Sequence, residues 1–193
     1  MTEKHDAPLW EISLLEFRNR VAASSPTPGG GAVAAVAAIF AAALQRMVCA
    51  ISSKRKPDLG MNAIAAKVKI VEEELSHYAD EDIRVFNRYM AARKARSAST
   101  HAAVQRCLLA CTEVPLAAAE AVVKLEAYGA EMVPHCPQFF SSDLATARHL
   151  LNASRKALLS NVSINLKDLE DGEAKRAILL RLEALQGDAN TTA

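Results

Sequence analysis

The chain has 193 residues, with 23 Lys and Arg against 22 Asp and Glu. The formal net charge of +1 calls for no polyanion or anionic membrane as partner and disfavours nucleic-acid binding over the whole surface. A hydrophobic share of 51% excludes disorder for the bulk of the chain, and 38 Ala beside only 7 Gly and 7 Pro favour an all-α fold in one domain, 1–193.

Met1 to Asp6 shows neither a basic leader nor an apolar run, which reads as a cytoplasmic protein. Asp6 and Pro8 open a helix to about Ala23, with Leu9, Ile12, Leu15 and Phe17 at nearly helical spacing. Ser24 to Gly31 (SSPTPGGG) breaks it. A second helix, Gly31 to about Ser53, is Ala-rich on every face. Ala34, Ala38 and Ala42 lie one turn apart and let another backbone come close, so this helix is central or lies against a partner subunit. Its apolar stretch Gly31 to Leu44 falls short of the roughly 20 residues that span a bilayer, so no membrane is expected.

Lys54 to Gly60 (KRKPDLG) is the next break. A periodic segment from about Asn62 to Arg96 carries Ile64, Val68, Val71, Leu75, Tyr78, Val85, Phe86 and Tyr89 on one stripe, and the pattern loosens over Ser97 to Thr100. His101 to Ala127 reads as a helix kinked by Pro115 and capped by Gly129. Val133 to Ser142 is a loop, helices follow at Asp143 to Asn165 and Glu170 to Leu185, and Gly187 to Ala193 is a frayed tail. The expectation is a bundle of five to seven helices, some long and kinked.

Several polar groups interrupt the apolar stripes. Of Asp80, Glu81 and Asp82 only one can face inward, because successive residues turn by about 100°. Asp82 is the one on the stripe, between Tyr78 and Phe86. An inward carboxylate is either paired for structure or raised in pKa for acid/base work near neutrality. Asn161 and Asn165, one turn apart on the Leu151, Leu158, Val162, Leu166 stripe, either cross-link helices or hold ligand heteroatoms. Asp143 sits in a helix's first turn, where an acid complements the dipole. Gly29, Gly30 and Gly31 lead into a helix whose free amides could take an anion, or serve as a hinge; no P-loop or GxGxxG pattern is present. Cys49, Cys107, Cys111 and Cys136 read as reduced thiols, and no spacing of Cys, His or carboxylates completes a metal set. His77 and His149 read as surface residues.

SSPTPGGGAVAAVAAIFAAALQRMV, Asp82-x3-Phe86, Val114-Pro115-Leu116, Ser142-Asp143-Leu144 and Asn161-Val162-x2-Asn165-Leu166 with Asp171 occur in that order over nearly the whole chain. Together they resemble the formiminotetrahydrofolate cyclodeaminase and methenyltetrahydrofolate cyclohydrolase family. The resemblance implies an all-helical homodimer that makes or opens 5,10-methenyltetrahydrofolate, with the folate as substrate and no separate cofactor. It implies Asp82 as catalytic aspartate and Gly29, Gly30, Gly31, Asp143, Asn161 and Asn165 as further motif positions. The family's Gly-Lys-Lys-Lys-Tyr-like run is replaced by Ser53-Lys54-Arg55-Lys56-Pro57, its Leu-Pro-Lys by Ala95-Arg96-Ser97, and its Gly-Asn before Ser-Asp by Cys136-Pro137. Lys54, Arg55 and Lys56 remain candidates to meet the folate's anionic tail beside the glycines. A catalytically altered binding or assembly module, and an unrelated α-helical dimer, stand as alternatives to the enzyme.

Overall fold

In the computed structural model, which describes residues 7–57, 59–95 and 100–187, the first α-helix begins at Ser13 rather than at Asp6, which lies outside that range. Ser13 Oγ accepts from Glu16 N–H at 3.1 Å and caps α1, Leu14–Val21. Ahead of it, Leu9–Glu11 forms a single 3-10 turn, and Ile12 is extended. Leu9 is buried, and with Ile12 and Phe17 it packs on Ala32, Ala35, Val36, Ala79 and Ile83. The N-terminal segment is thus a strap laid across the two helices that follow.

α2 spans Gly30–Arg55. Lys54 and Arg55 form its last turn, not a break, and cations there complement the negative end of the helix dipole. The helix stops at Lys56 because Pro57 forces the residue before it out of the helical region, and Lys56 is extended at φ −139, ψ 105. α3 is Leu59–Lys94, α4 Thr100–Met132, α5 Ser141–Asp168 and α6 Glu173–Gly187, and no strand occurs among the described residues. The all-α expectation holds. The expected loop 133–142 contains two 3-10 turns, Val133–His135 and Gln138–Phe140, and the expected frayed tail beyond Gly187 lies outside the described residues, as does 96–99.

α2, α3, α4 and α5 form an up-down-up-down bundle in which α2 and α4 each pack on α3 and α5 and face one another on the diagonal. Arg46 to Glu72 at 2.7 Å ties α2 to α3, and Lys124 to Glu74 at 3.0 Å ties α4 to α3. Buried Arg155 donates to Glu126 on α4 and to the Leu185 carbonyl at 3.0 Å, so it also satisfies the C-terminal end of α6. Ala34, Ala38 and Ala42 are buried in this chain's own core, which selects the central reading of that row over a subunit contact. A charge at Ala38 would therefore strike the bundle core. At 26 residues α2 is long and apolar enough to cross a bilayer, and in this fold its small side chains line the bundle interior.

α4 runs through Pro115 and past Gly129 to Met132, so Gly129 is not a cap. Its role is close approach. Gln45 Nε2 donates to the Leu125 carbonyl at 2.8 Å, and a Cβ on residue 129 would lie 2.7 Å from that nitrogen. Pro115 has no N–H for the Cys111 carbonyl four residues back. Asn165 Nδ2 on α5 donates to that carbonyl instead, at 2.7 Å, so the proline and the asparagine are one device.

Candidate active site

α2 begins without a side-chain cap of its own. Its N-cap is Gly29, which has no side-chain oxygen to offer the first-turn amides. α3 supplies one from across the bundle, because Asp82 Oδ2 accepts from Ala32 N–H at 3.0 Å. The glycines make this approach possible. A Cβ on residue 31 would lie 2.7 Å from both Asp82 Cγ and Oδ2 and would press on Oδ1, so no side chain fits there while the carboxylate stays in place. A Cβ on residue 30 would meet only Asn161 Nδ2, at an ordinary 3.7 Å. Gly29, Gly30, Gly31, Asp82 and Asn161 are therefore brought to one place, at the start of α2 between α3 and α5.

Asp82 lies half-buried on the stripe that the spacing predicts. Burial pushes its pKa above the ordinary carboxylate range, and the Ala32 N–H pulls it part of the way back. Its two oxygens differ in function: Oδ2 is held by the amide, while Oδ1 accepts no hydrogen bond from the described residues. Cys111 on α4 shares this surrounding. Burial first, then the charge of Asp82, pushes its thiol up to about 12, so it stays protonated and unreactive near neutrality.

The strap closes one side. Asp80 Oδ1, two residues before Asp82 and about 200° round the helix from it, accepts from Leu9 N–H at 2.9 Å, and Thr27 Oγ1 donates to Asn87 Oδ1 at 3.1 Å. Glu81 turns outward to Arg84 at 2.8 Å and Arg88 at 3.0 Å. The three consecutive acids thus turn to three different sides, as their 100° separation requires. Asn161 Nδ2 bonds back to Ala157 at 2.9 Å, and Asn165 Nδ2 is engaged by Cys111, leaving each amide its oxygen.

The remaining candidates stand elsewhere. Lys54, Arg55 and Lys56 lie at the other end of α2, about 35 Å from Gly31 at 1.5 Å per residue. Asp143 is at the start of α5, about 27 Å from Asn161 by the same rise, and near enough to Cys136 for its charge to raise that thiol. Arg55 lies over the Phe140 ring at 5.8 Å, which places the two groups at one end of the bundle. Within one chain, then, the basic run does not flank the glycines. Spacing could not reveal this, because both groups border the same helix and only its length separates them. His77 and His149 are exposed, as expected, and no group of three or more His, Cys, Asp or Glu among the described residues could hold a metal ion. Two partners escaped the sequence reading: the Ala32 amide, which has no side-chain signal, and Cys111, whose only signal is its place four residues before Pro115.

A half-buried carboxylate with one oxygen anchored and the other free is suited to moving a proton at a fixed point, beside first-turn amides that favour an electron-rich group. A family model described as formiminotransferase-cyclodeaminase matches residues 13–184. The formimidoyltransferase-cyclodeaminases of Sus scrofa and Mus musculus are 31% and 32% identical over 93% and 96% of this chain, which spans 35% and 36% of their length. The methenyltetrahydrofolate cyclohydrolase of Methylorubrum extorquens is 29% identical over 90% of this chain and 88% of its own. The crystal structure of a formiminotetrahydrofolate cyclodeaminase from Thermotoga maritima superposes with a TM-score of 0.85 at 28% identity, covering 92% of this chain and 90% of that one.

Proposed function

Because the chain belongs to the formiminotransferase-cyclodeaminase family, we propose that it is a one-carbon folate enzyme that forms or opens the methenyl bridge of tetrahydrofolate, with Asp82 as its acid/base group. The observation that carries the reading is the Asp82 carboxylate, raised in pKa and held by Ala32 N–H in a space that only glycine at position 31 leaves open.

In cyclodeamination, N10 of the folate attacks the carbon of the protonated N5-formimino group. Asp82 Oδ1, ionised at the start, takes the proton that N10 sheds and delivers it to the departing amine, which leaves as ammonia. In the hydrolytic reaction, water attacks the methenyl carbon and the same oxygen takes its proton, then returns it to the ring nitrogen as the bridge opens and the remaining hydroxyl proton passes to solvent. Both routes pass through a tetrahedral carbon flanked by nitrogens, so one group serves either. Ionised Asp82 also stabilises the cationic bridge by proximity. The amide oxygens of Asn161 and Asn165 and the Gly29 to Gly31 entry hold the folate, and the protein acts as a homodimer.

The test is turnover of formimino- and methenyltetrahydrofolate by wild type and Asp82→Asn. Loss of a positioned acid/base costs about 10² to 10⁴ in rate, with folate binding kept. Equal rates would end the assignment of Asp82. Binding without turnover by wild type would favour a folate-binding module in its place.

A further inference from the structure

The apolar stripe of α3 outruns the helix that covers it. Ile64, Val68, Val71 and Leu75 are buried on that stripe, in one cluster with Ala34, Ala38 and Ala42 of α2. α2 begins opposite Asp82, where a Cβ on residue 31 would meet the carboxylate, yet α3 continues to Lys94. The stretch 83–94 of α3, about 18 Å at 1.5 Å per residue, therefore runs on past the start of α2.

On this overhang Phe86, Tyr89 and Arg93 follow Asp82 by four, seven and eleven residues, all within about 40° of its direction. Phe86 and Tyr89 are half-buried where the earlier stripe residues are buried. The strap leaves this line open, because Thr27 bonds to Asn87, about 140° round the helix from Asp82.

The three groups touch in sequence. The Phe86 and Tyr89 rings have centroids 6.2 Å apart and are tilted by 60°, a corner that offers a third ring both face and edge contacts. Arg93 Cζ lies over the Tyr89 ring at 5.6 Å. Helical side chains lean toward the N-terminus, so the guanidinium comes back to the level of Tyr89, about 10 Å along the axis from Asp82. The ring orients this cation without neutralising it, and among the described residues Arg93 makes no ion pair. Arg84 and Arg88, by contrast, are committed to Glu81 on the outer side.

Leading away from Asp82 there is thus an aromatic corner and then an uncommitted cation. A folate presents complementary groups in the same order: the reacting nitrogens, the benzoyl ring attached to N10, and the carboxylates of the glutamyl tail. We propose that the overhang of α3 is the specificity track for the tail half of the substrate, with the benzoyl ring on Phe86 and Tyr89 and a glutamyl carboxylate on Arg93. The track rests on the folate reading above, and it adds a means of telling a folate from a pterin that lacks the tail.

The test compares binding of 5-formyltetrahydrofolate, whose oxygen replaces the formimino nitrogen, with that of its tail-less counterpart 5-formyltetrahydropteroate. Arg93→Met should weaken the tailed probe about 10-fold and leave the tail-less one unchanged, and Arg93→Lys should keep part of the affinity. Lys94→Met, turned about 100° from Arg93, should alter neither. Phe86→Leu should weaken both probes alike, by about 2- to 10-fold, at a melting temperature that shows the helices intact. In turnover of methenyltetrahydrofolate, Arg93→Met should raise KM and leave kcat in place. Unchanged affinity and KM in Arg93→Met, or an equal loss on both probes, would overturn the track and leave the folate reading standing. A wild type that binds neither probe and turns over neither folate would overturn the folate reading and the track together.

Discussion

Replacing Gly31 by Ala is the sharpest perturbation of the Asp82 device, because a single methyl group pits two effects of known sign against each other. In an unobstructed helix, Ala in place of Gly stabilises by up to about 1 kcal/mol. Here the new Cβ would lie 2.7 Å from Asp82 Cγ, so the carboxylate must swing aside and release the Ala32 N–H. A lost hydrogen bond to a charged group costs about 1.5 to 3 kcal/mol. The clash wins, and the net loss of about 0.5 to 2 kcal/mol corresponds to a few degrees in Tm for a chain of this size. The functional effect is larger, since misplacing a reacting group by about 1 Å can cost about 10²-fold in rate. Gly30→Ala is the folding control: its Cβ meets Asn161 at an ordinary 3.7 Å, so Tm should rise. In an Asp82→Ala background the obstruction is gone, and Gly31→Ala should itself become stabilising, a change of sign that a double-mutant cycle reads directly. A Gly31→Ala protein that melts at or above wild type and turns over folate at the wild-type rate would refute the reasoning.

Asp82→Asn can still accept from Ala32, and it removes a carboxylate whose folded pKa is raised. Between the unfolded carboxyl range, about 3.9, and that higher folded value, the native state binds more protons than the unfolded one, so wild-type stability falls as pH rises through the window. The variant should therefore melt above wild type at neutral pH, with an advantage that vanishes in acid; a pH-independent difference would contradict this. Asn165→Leu should cost about 1 to 3 kcal/mol by orphaning the Cys111 carbonyl, and adding Pro115→Ala, which restores an N–H to that carbonyl, should recover part of the loss in denaturant titrations. Gly129→Ala should destabilise by a similar amount, about 1 to 3 kcal/mol, by forcing Gln45 off the Leu125 carbonyl; melting at the wild-type temperature would show that α2 and α4 can part at no cost.

Features that depend on one helix alone were legible in the chain. Asp82 stood out because an acid on an apolar stripe conflicts with its neighbours, and the fold class followed from the alanines and the periodicity. Features that join residues some 50 positions apart were not. Gly31 looks like part of a flexible linker until Asp82 is seen against it, and Asn165 looks like a ligand donor until the carbonyl vacated by Pro115 is found beneath it. Gly129 reads as a stop because glycine does end helices; the close approach of Gln45 is a contact across the bundle that periodicity cannot encode. The basic run misled for a geometric reason, since a helix that joins two motifs in sequence also holds them a helix length apart.

The strap bears on how the molecule breathes. α2 and α3 form a hairpin whose turn follows Lys56, so the Gly31 and Asp82 contact lies at the open end of that hairpin, where helix pairs fray first. Leu9 on Asp80 and Thr27 on Asn87 bind the N-terminal segment across that open end like a clasp. Hydrogen exchange at the Ala32 amide would then follow release of the clasp rather than unfolding of the bundle. A protein shortened past Leu9 would keep its four helices, yet its carboxylate would spend part of its time away from the helix it caps.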